Sequence, residues 1–215
     1  MLLNRKSVEL LAPAGTWDAL VAGVESGADA VYLGGKHFNM RMHEGGFNFD
    51  DATLKKAIDY AHAHGVRLYV TLNNLISNEE IPALREYLTY LNEIRPDALL
   101  VQDFAVLELV HEMGITIPLH TSVMMNTHNE HAIEKLKEYG ITRIVVGREM
   151  TLSELSLFRE RTGIEVEYFM HGDMCISESG QCIHSGVLFG QSGNRGRCLK
   201  PCRWAYQLID EKTGE

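Results

Sequence analysis

Short, almost wholly apolar runs recur through the first 170 residues, and each gives way to an amphipathic stretch. The apolar runs cover residues 8–12, 30–33, 67–72, 98–101, 118–123, 143–146 and 165–170 and are predicted as strands. The stretches between them have helical spacing over residues 17–26, 50–64, 79–94, 104–113, 130–139 and 152–161. Helix stops stand where the pattern needs them, at Gly27, Gly65, Gly114 and Gly140, and Thr16 and Thr151 or Ser153 are candidate N-caps. Strands without polar alternation that take turns with amphipathic helices require a parallel sheet covered by helices.

Seven such units fit a TIM-type (β/α) barrel better than an open doubly wound sheet. No G-x-G-x-x-G follows the first strand, which removes the usual sign of dinucleotide binding. The expected architecture is therefore an α/β barrel of seven to eight parallel strands with a cysteine-rich loop after strand seven. Barrel units are expected over 1–174, the cysteine-rich metal-binding loop over 175–203, and the last barrel strand in 204–215, within RWAYQLID. The N-terminal apolar run is too short for a signal peptide, and no run approaches the roughly 18 apolar residues of a membrane span. A cytoplasmic protein is expected.

Residues 167–204 break the rhythm. They are polar and glycine-rich and hold all four cysteines. Six residues separate Cys175 from Cys182, three separate Cys198 from Cys202, and fifteen lie between the pairs. Thiols clustered in a reducing compartment are more often ligands or redox groups than disulfides. Thiolates suit both zinc and iron–sulfur clusters. Only the Cys198/Cys202 spacing falls in the usual range for structural zinc, whereas iron–sulfur sites tolerate varied spacing. A four-iron cluster, zinc, and disulfides or unligated thiols are the three readings that the residues leave open. Charge is distributed unevenly around this stretch. Residues 1–178 hold 15 basic and 26 acidic side chains, while 179–209 hold Arg195, Arg197, Lys200 and Arg203 and no acid. Such a patch suits a phosphate or carboxylate partner, or balances an anionic thiolate group.

The strings HGDMC, SGQC, SGNRGRC and PCRW, together with ELLAPAG and GADAVYLGG near the start, resemble the collagenase-like peptidase family, peptidase family U32. The resemblance spans nearly the whole chain. It implies a 4Fe-4S cluster on Cys175, Cys182, Cys198 and Cys202. It also implies oxygen-independent hydroxylation of an RNA base, a tRNA wobble uridine before a ribosomal RNA cytidine, with prephenate as a co-substrate. The family label implies a peptidase as the alternative. The family's quinone branch implies a quinone-ring hydroxylase subunit with a partner subunit, and a cluster-bearing scaffold is the reading without turnover. Family members are longer, so an N-terminal fragment or a short member is expected.

Barrel chemistry sits at the carboxyl ends of strands. The candidates there are Asn73 after strand three, His120 and Ser122 on one face of strand five, Arg148 and Glu149 after strand six, and His171 after strand seven. His171, Arg148, Glu149, His120 and Asn73 are the candidate catalytic groups. Arg41, Ser122, Arg195 and Arg197 are the candidate substrate-binding groups, with Arg41 and Arg148 suited to clamp a carboxylate. Each has a structural alternative: a satisfied core histidine for His120, an ion pair for Arg148 and Glu149, a loop cap for Asn73. His128, Glu130 and His131 read as a solvated helix start. No G-x-S-x-G or H-E-x-x-H is present, so a peptidase would have to use Cys175 with His171 as base.

Overall fold

The computed structural model describes residues 8–172 and 174–214. Seven strands form one parallel sheet in chain order: β1 (Leu11–Pro13), β2 (Ala30–Gly34), β3 (Arg67–Leu72), β4 (Ala98–Val101), β5 (Leu119–Thr121), β6 (Ile141–Val145) and β7 (Glu165–Glu167). Helices α1 (Trp17–Glu25), α2 (Asp51–Ala63), α3 (Ile81–Ile94), α4 (Phe104–Glu112), α5 (Glu130–Glu138) and α6 (Leu152–Thr162) follow the first six strands in turn. A short α7 (His184–Phe189) lies inside the cysteine-rich stretch, which is therefore not all loop.

Local chemistry sets the helix starts. Thr16, Asp50, Asp103 and Asn129 each accept a hydrogen bond from a first-turn backbone N–H. Thr151 and Glu154 form a reciprocal capping box.

The sheet has two buried faces. Val31, Leu33, Leu68, Val70, Leu72, Leu99, Val101 and Ile144 point outward and pack under the helices. Ala30, Tyr69, Ala98, Leu100 and Val145 form a smaller inner cluster. Sheet curvature brings the two ends together. Glu9, just before β1, accepts hydrogen bonds from Arg143 on β6 at 2.6 Å and from the Tyr69 hydroxyl on β3 at 2.9 Å. Among the described residues the fold is thus a TIM-type barrel of seven strands, open between its edge strands β1 and β7.

Three expectations shift. Strand one was expected at 8–12 but runs Leu11–Pro13, because Glu9 turns inward to Arg143 while Val8 and Leu10 are exposed. Strand seven stops at Glu167, and Tyr168, Phe169 and Met170 are exposed. The eighth strand expected in RWAYQLID is not formed among the described residues. That run folds back on the cysteine segment instead: Trp204 packs on Phe189 with ring centroids 5.2 Å apart, and the Tyr206 hydroxyl donates to the Pro201 carbonyl at 2.9 Å. Among the described residues no helix is long and apolar enough to cross a membrane.

Candidate active site at the carboxyl ends of the strands

The barrel mouth is built by extending the strand register. Leu72 pairs with Val101, Val101 with Thr121, Thr121 with Ile144, and Val145 with Glu167. One residue further on, Asn73, Gln102, Ser122, Val145 and Glu167 fall in one row. Side chains alternate along a strand, so this row faces inward with Tyr69 and Leu100. Asn73 donates to the Ser122 hydroxyl at 3.1 Å and accepts from the Met40 N–H at 3.2 Å. Ser122 also accepts from the Met124 N–H at 3.3 Å, so it anchors the turn after β5. These two expected site residues are held together and face the same space.

His120 lies one step deeper. It is buried, and its ring meets Tyr69 edge-on at 4.9 Å. Burial, then the charges of Arg143 and Arg67, push its pKa down to about 3. The imidazole is therefore held in its neutral form, with one ring nitrogen as donor and one as acceptor. Its place is in the barrel interior, on the tyrosine.

Glu167 was not among the expected site residues. Its side chain is largely buried on the inner face, and its Oε2 has no hydrogen-bond partner. Burial pushes its pKa up to about 7; the Glu9 charge adds to that shift, and Arg143, 3.6 Å away, opposes it. The signal was present in the sequence: Glu165-Val166-Glu167 puts two carboxylates on the inner face of a strand, where a barrel normally stacks apolar side chains. A carboxyl whose folded pKa lies above its unfolded value of 4.5 favours the fold while protonated. Its contribution is present below pH 4.5 and is lost as pH rises through about 7. Glu167→Gln is therefore expected to remove a stability slope of up to about 3 kcal/mol between pH 5 and pH 8, read by urea denaturation at both values. An unchanged slope would place the titration elsewhere.

Arg148 and Glu149, expected as catalytic groups or as a structural ion pair, make no ion pair with each other among the described residues. Both grip Ser179. Arg148 donates to its hydroxyl at 3.4 Å, and Glu149 accepts from its backbone N–H at 3.1 Å and its hydroxyl at 3.2 Å. His128, read from the sequence as a solvated helix start, contacts the same Glu149 oxygen that accepts the Ser179 N–H, at 3.2 Å. Burial opposes ionisation of Glu149, but its hydrogen bonds and the His128 charge outweigh it and hold the carboxyl below its ordinary value. These side chains thus fix the segment between Cys175 and Cys182 to the end of β6.

The same segment is pinned at other points. The Leu75 N–H donates to the Asn194 carbonyl at 2.9 Å, and the Asn194 amide donates to the Gly180 carbonyl at 2.9 Å. Gly180 has φ +75°, and a β-carbon there would collide with the Met124 carbonyl oxygen. Gly196 has φ +71°, and a β-carbon there would lie 2.7 Å from the Asn39 carbonyl oxygen. Gly196→Ala is expected to cost roughly 1–3 kcal/mol and to detach this edge of the segment from the loop after β2. Limited proteolysis should then cut within 190–204 faster than in the wild type. Equal cutting rates would mean that the loop gives way without cost.

The basic patch is largely occupied within the protein. Arg195 clasps Glu80 with two hydrogen bonds of 2.8 and 3.0 Å and donates to the Leu75 carbonyl. Lys200 pairs with Glu44 at 2.8 Å, and Glu44 also accepts from Arg41 at 2.7 Å. Arg203 donates to the Met174 carbonyl. Arg197 donates to His43 at 3.2 Å and lines an open pocket of about 350 Å³ with His43, Glu44, Gln191 and Cys198. Arg195 is thus a clasp, whereas Arg41 and Arg197 remain exposed. His171 is exposed after β7.

All four cysteines are free thiols. Cys182 and Cys198 both border Gly193: a β-carbon there would lie 3.8 Å from the Cys182 carbonyl and 3.9 Å from the Cys198 β-carbon. The Cys198 sulfur accepts the Lys200 N–H at 3.3 Å. Cys175 is exposed, and Cys202 is half-buried. Among the described residues no three metal-binding side chains are gathered into one group.

A curled parallel sheet with a thiol-bearing segment pinned across its strand ends defines a TIM-type barrel protein with a cysteine-rich cover. The chain belongs to peptidase family U32, whose family model matches residues 15–215. It is 34% identical over 203 residues to the tRNA hydroxylation protein P1 of Bacillus subtilis, covering 94% of this chain and 48% of that protein. It is 35% identical over 214 residues to the 23S rRNA 5-hydroxycytidine C2501 synthase of Escherichia coli, covering 99% and 32%. A collagenase of Porphyromonas gingivalis is 28% identical over 223 residues, covering 99% and 53%. The chain spans about half the length of the first of these relatives. Among solved structures, the U32 peptidase Mk0906 matches with a TM-score of 0.63 at 17% identity, covering 75% of this chain and 68% of that one. That likeness concerns the fold.

Proposed function

We propose that this chain works in the hydroxylation of an RNA base, with a tRNA wobble uridine as the first candidate, and that Cys175, Cys182, Cys198 and Cys202 hold a 4Fe-4S cluster for it. The carrying observation is the placement of four free thiols on a segment pinned at Ser179, Gly180, Asn194 and Gly196 across the carboxyl ends of the barrel strands. The names of the B. subtilis and E. coli relatives support the substrate class. The donor set suits the group in chemistry, since iron–sulfur clusters take four thiolates and N–H···S bonds such as that from Lys200 stabilise them. When bound, the cluster supplies a redox or Lewis-acid centre.

The chain's own residues do the rest. Asn73 and Ser122 present a fixed polar edge at the mouth. Arg148 and Glu149 hold the segment in place through Ser179. Arg41 and Arg197 stand exposed beside the segment, where a phosphate or a small carboxylate such as prephenate can meet them. The P. gingivalis relative keeps peptidase activity as the second reading. Against it, Cys175 and His171 are both exposed and share no hydrogen bond among the described residues.

Nucleoside mass spectrometry tests the reading. RNA from a strain lacking this chain's gene should lose one hydroxylated nucleoside, and the wild-type gene should restore it. An unchanged nucleoside profile together with gelatin cleavage by the purified protein would overturn hydroxylation in favour of proteolysis.

A further inference from the structure

We infer that Gln102 and Glu167 form the recognition edge of a binding site in the barrel mouth, and that this edge takes the imide edge of a pyrimidine ring, a ring N–H beside a carbonyl. The inference deepens the reading above and rests on it for the identity of the ring.

The inward row is Asn73, Gln102, Ser122, Val145 and Glu167. Asn73 and Ser122 already bond each other. Val145 is apolar and buried. The two remaining members both carry a buried acceptor without a hydrogen-bond partner: Oε1 of Gln102 and Oε2 of Glu167, the latter in ion-pair contact with Arg143 at 3.6 Å. The His120 Nδ1, one step deeper, is also unpartnered. Native proteins satisfy nearly all such atoms, because a stranded buried acceptor costs about 1–3 kcal/mol. Two on one row, at the end of the barrel where ligands bind, call for donors from outside the chain.

Among the described residues, Glu167 Oε2 has an ion-pair contact with Arg143 but no hydrogen bond, and Gln102 Oε1 has no hydrogen-bond partner. Arg143 is the nearest cation to Glu167 at 3.6 Å, but its guanidinium is committed to Glu9 and Glu165. The other ionisable groups that interact with Glu167 are Glu9, ahead of β1, which repels a second negative charge, and Tyr32 on β2, which Glu167 itself discourages from ionising. With its pKa near neutral, Glu167 is present in both forms at pH 7. It can accept from a ring N–H as the carboxylate, or donate to a ring carbonyl as the acid. An imide edge offers both groups side by side. A small dicarboxylate offers acceptors only and would face the Glu167 carboxylate with like charge.

The test is calorimetric titration of the intact chain with uridine and with 3-methyluridine, which lacks the ring N–H. Uridine is expected to bind at millimolar concentration, with 3-methyluridine about tenfold weaker. Gln102→Leu and Glu167→Leu should each weaken uridine binding about tenfold or more. Glu167→Gln preserves shape and should bind with an intermediate loss, and circular dichroism of each variant controls for folding. The inference is overturned by equal binding of the two nucleosides, by unchanged binding in both leucine variants, or by no uridine binding alongside binding of a dicarboxylate. These outcomes do not depend on catalysis. If uridine binds as described while cellular RNA keeps all its hydroxylated nucleosides, the site stands and the hydroxylation reading falls.

Discussion

Arg143→Leu should cost about 3–5 kcal/mol of folding stability in a urea titration at pH 8, the largest loss expected from any single substitution in this barrel. Arg143 is only 8% exposed, on the inner face of β6. It donates to Glu9 at 2.6 Å and to Glu165 at 2.9 and 3.0 Å, and its guanidinium lies 5.4 Å from the Tyr69 ring centroid. Removing it leaves Glu9 and Glu167 inside the barrel without their shared cation. Arg67 also pairs with Glu9, but its side chain is half exposed and it stands on the far strand β3. The pH dependence provides a second check. Without Arg143, the Glu167 carboxyl loses the charge that opposes its upward shift and binds its proton more tightly in the folded state, so its contribution is kept at low pH and lost as pH rises. The deficit should therefore be smaller at pH 5 than at pH 8. Arg143→Lys should rescue only in part, because one ammonium cannot serve two carboxylates in the fixed geometry of a guanidinium. A loss under about 1 kcal/mol at pH 8 would mean that the pair contributes little beyond its own desolvation.

Such a cluster shows where sequence reading works and where it stops. Apolar runs marked the strands well, since their outward faces are continuous with the helices; residues 67–72 and 98–101 match β3 and β4 at both ends. Capping chemistry is local, so Thr16 and Thr151 were legible as helix starts. Long-range pairing is not local. Nothing near Glu9 announces Arg143, which lies 134 residues away, and so strand one was drawn through Glu9. For the same reason Arg195 read as a substrate contact when it is clasped by Glu80, 115 residues earlier. RWAYQLID has strand-like composition, but whether it joins a sheet depends on an available edge and on competition from Phe189 and Pro201, which composition does not encode. At the site, Asn73 and Ser122 could be named because polar residues interrupt apolar strand ends. His120 could be named but not assigned, since its fate depends on burial beside Tyr69, Arg67 and Arg143.

Changing Cys198 to serine should abolish iron binding altogether, and Cys175→Ser should do the same, if the thiol segment holds the proposed cluster. Protein purified without oxygen should carry about four irons and four acid-labile sulfides per chain and absorb broadly at the blue end of the visible range. Serine keeps the size of cysteine but not the soft thiolate donor that iron–sulfur chemistry selects. Cys198 is the sharper probe because its sulfur already accepts the Lys200 N–H and its β-carbon borders Gly193 beside Cys182. Gly193→Ala is the matched control. Its new methyl would sit at ordinary contact distance, 3.8 and 3.9 Å, from the two cysteines, so iron should be retained. Cys175 stands apart and exposed, so its substitution asks whether the segment closes to bring it in. Full iron in Cys175→Ser, with none in Cys198→Ser, would confine the ligands to the Cys182–Cys202 portion and leave one position for another donor. Stoichiometric zinc in place of iron would make the segment a structural clasp, and the variants would then lose stability. If neither metal is found in the wild type, the thiol of Cys175 returns as a nucleophile, and alkylation of that thiol should abolish any peptidase activity.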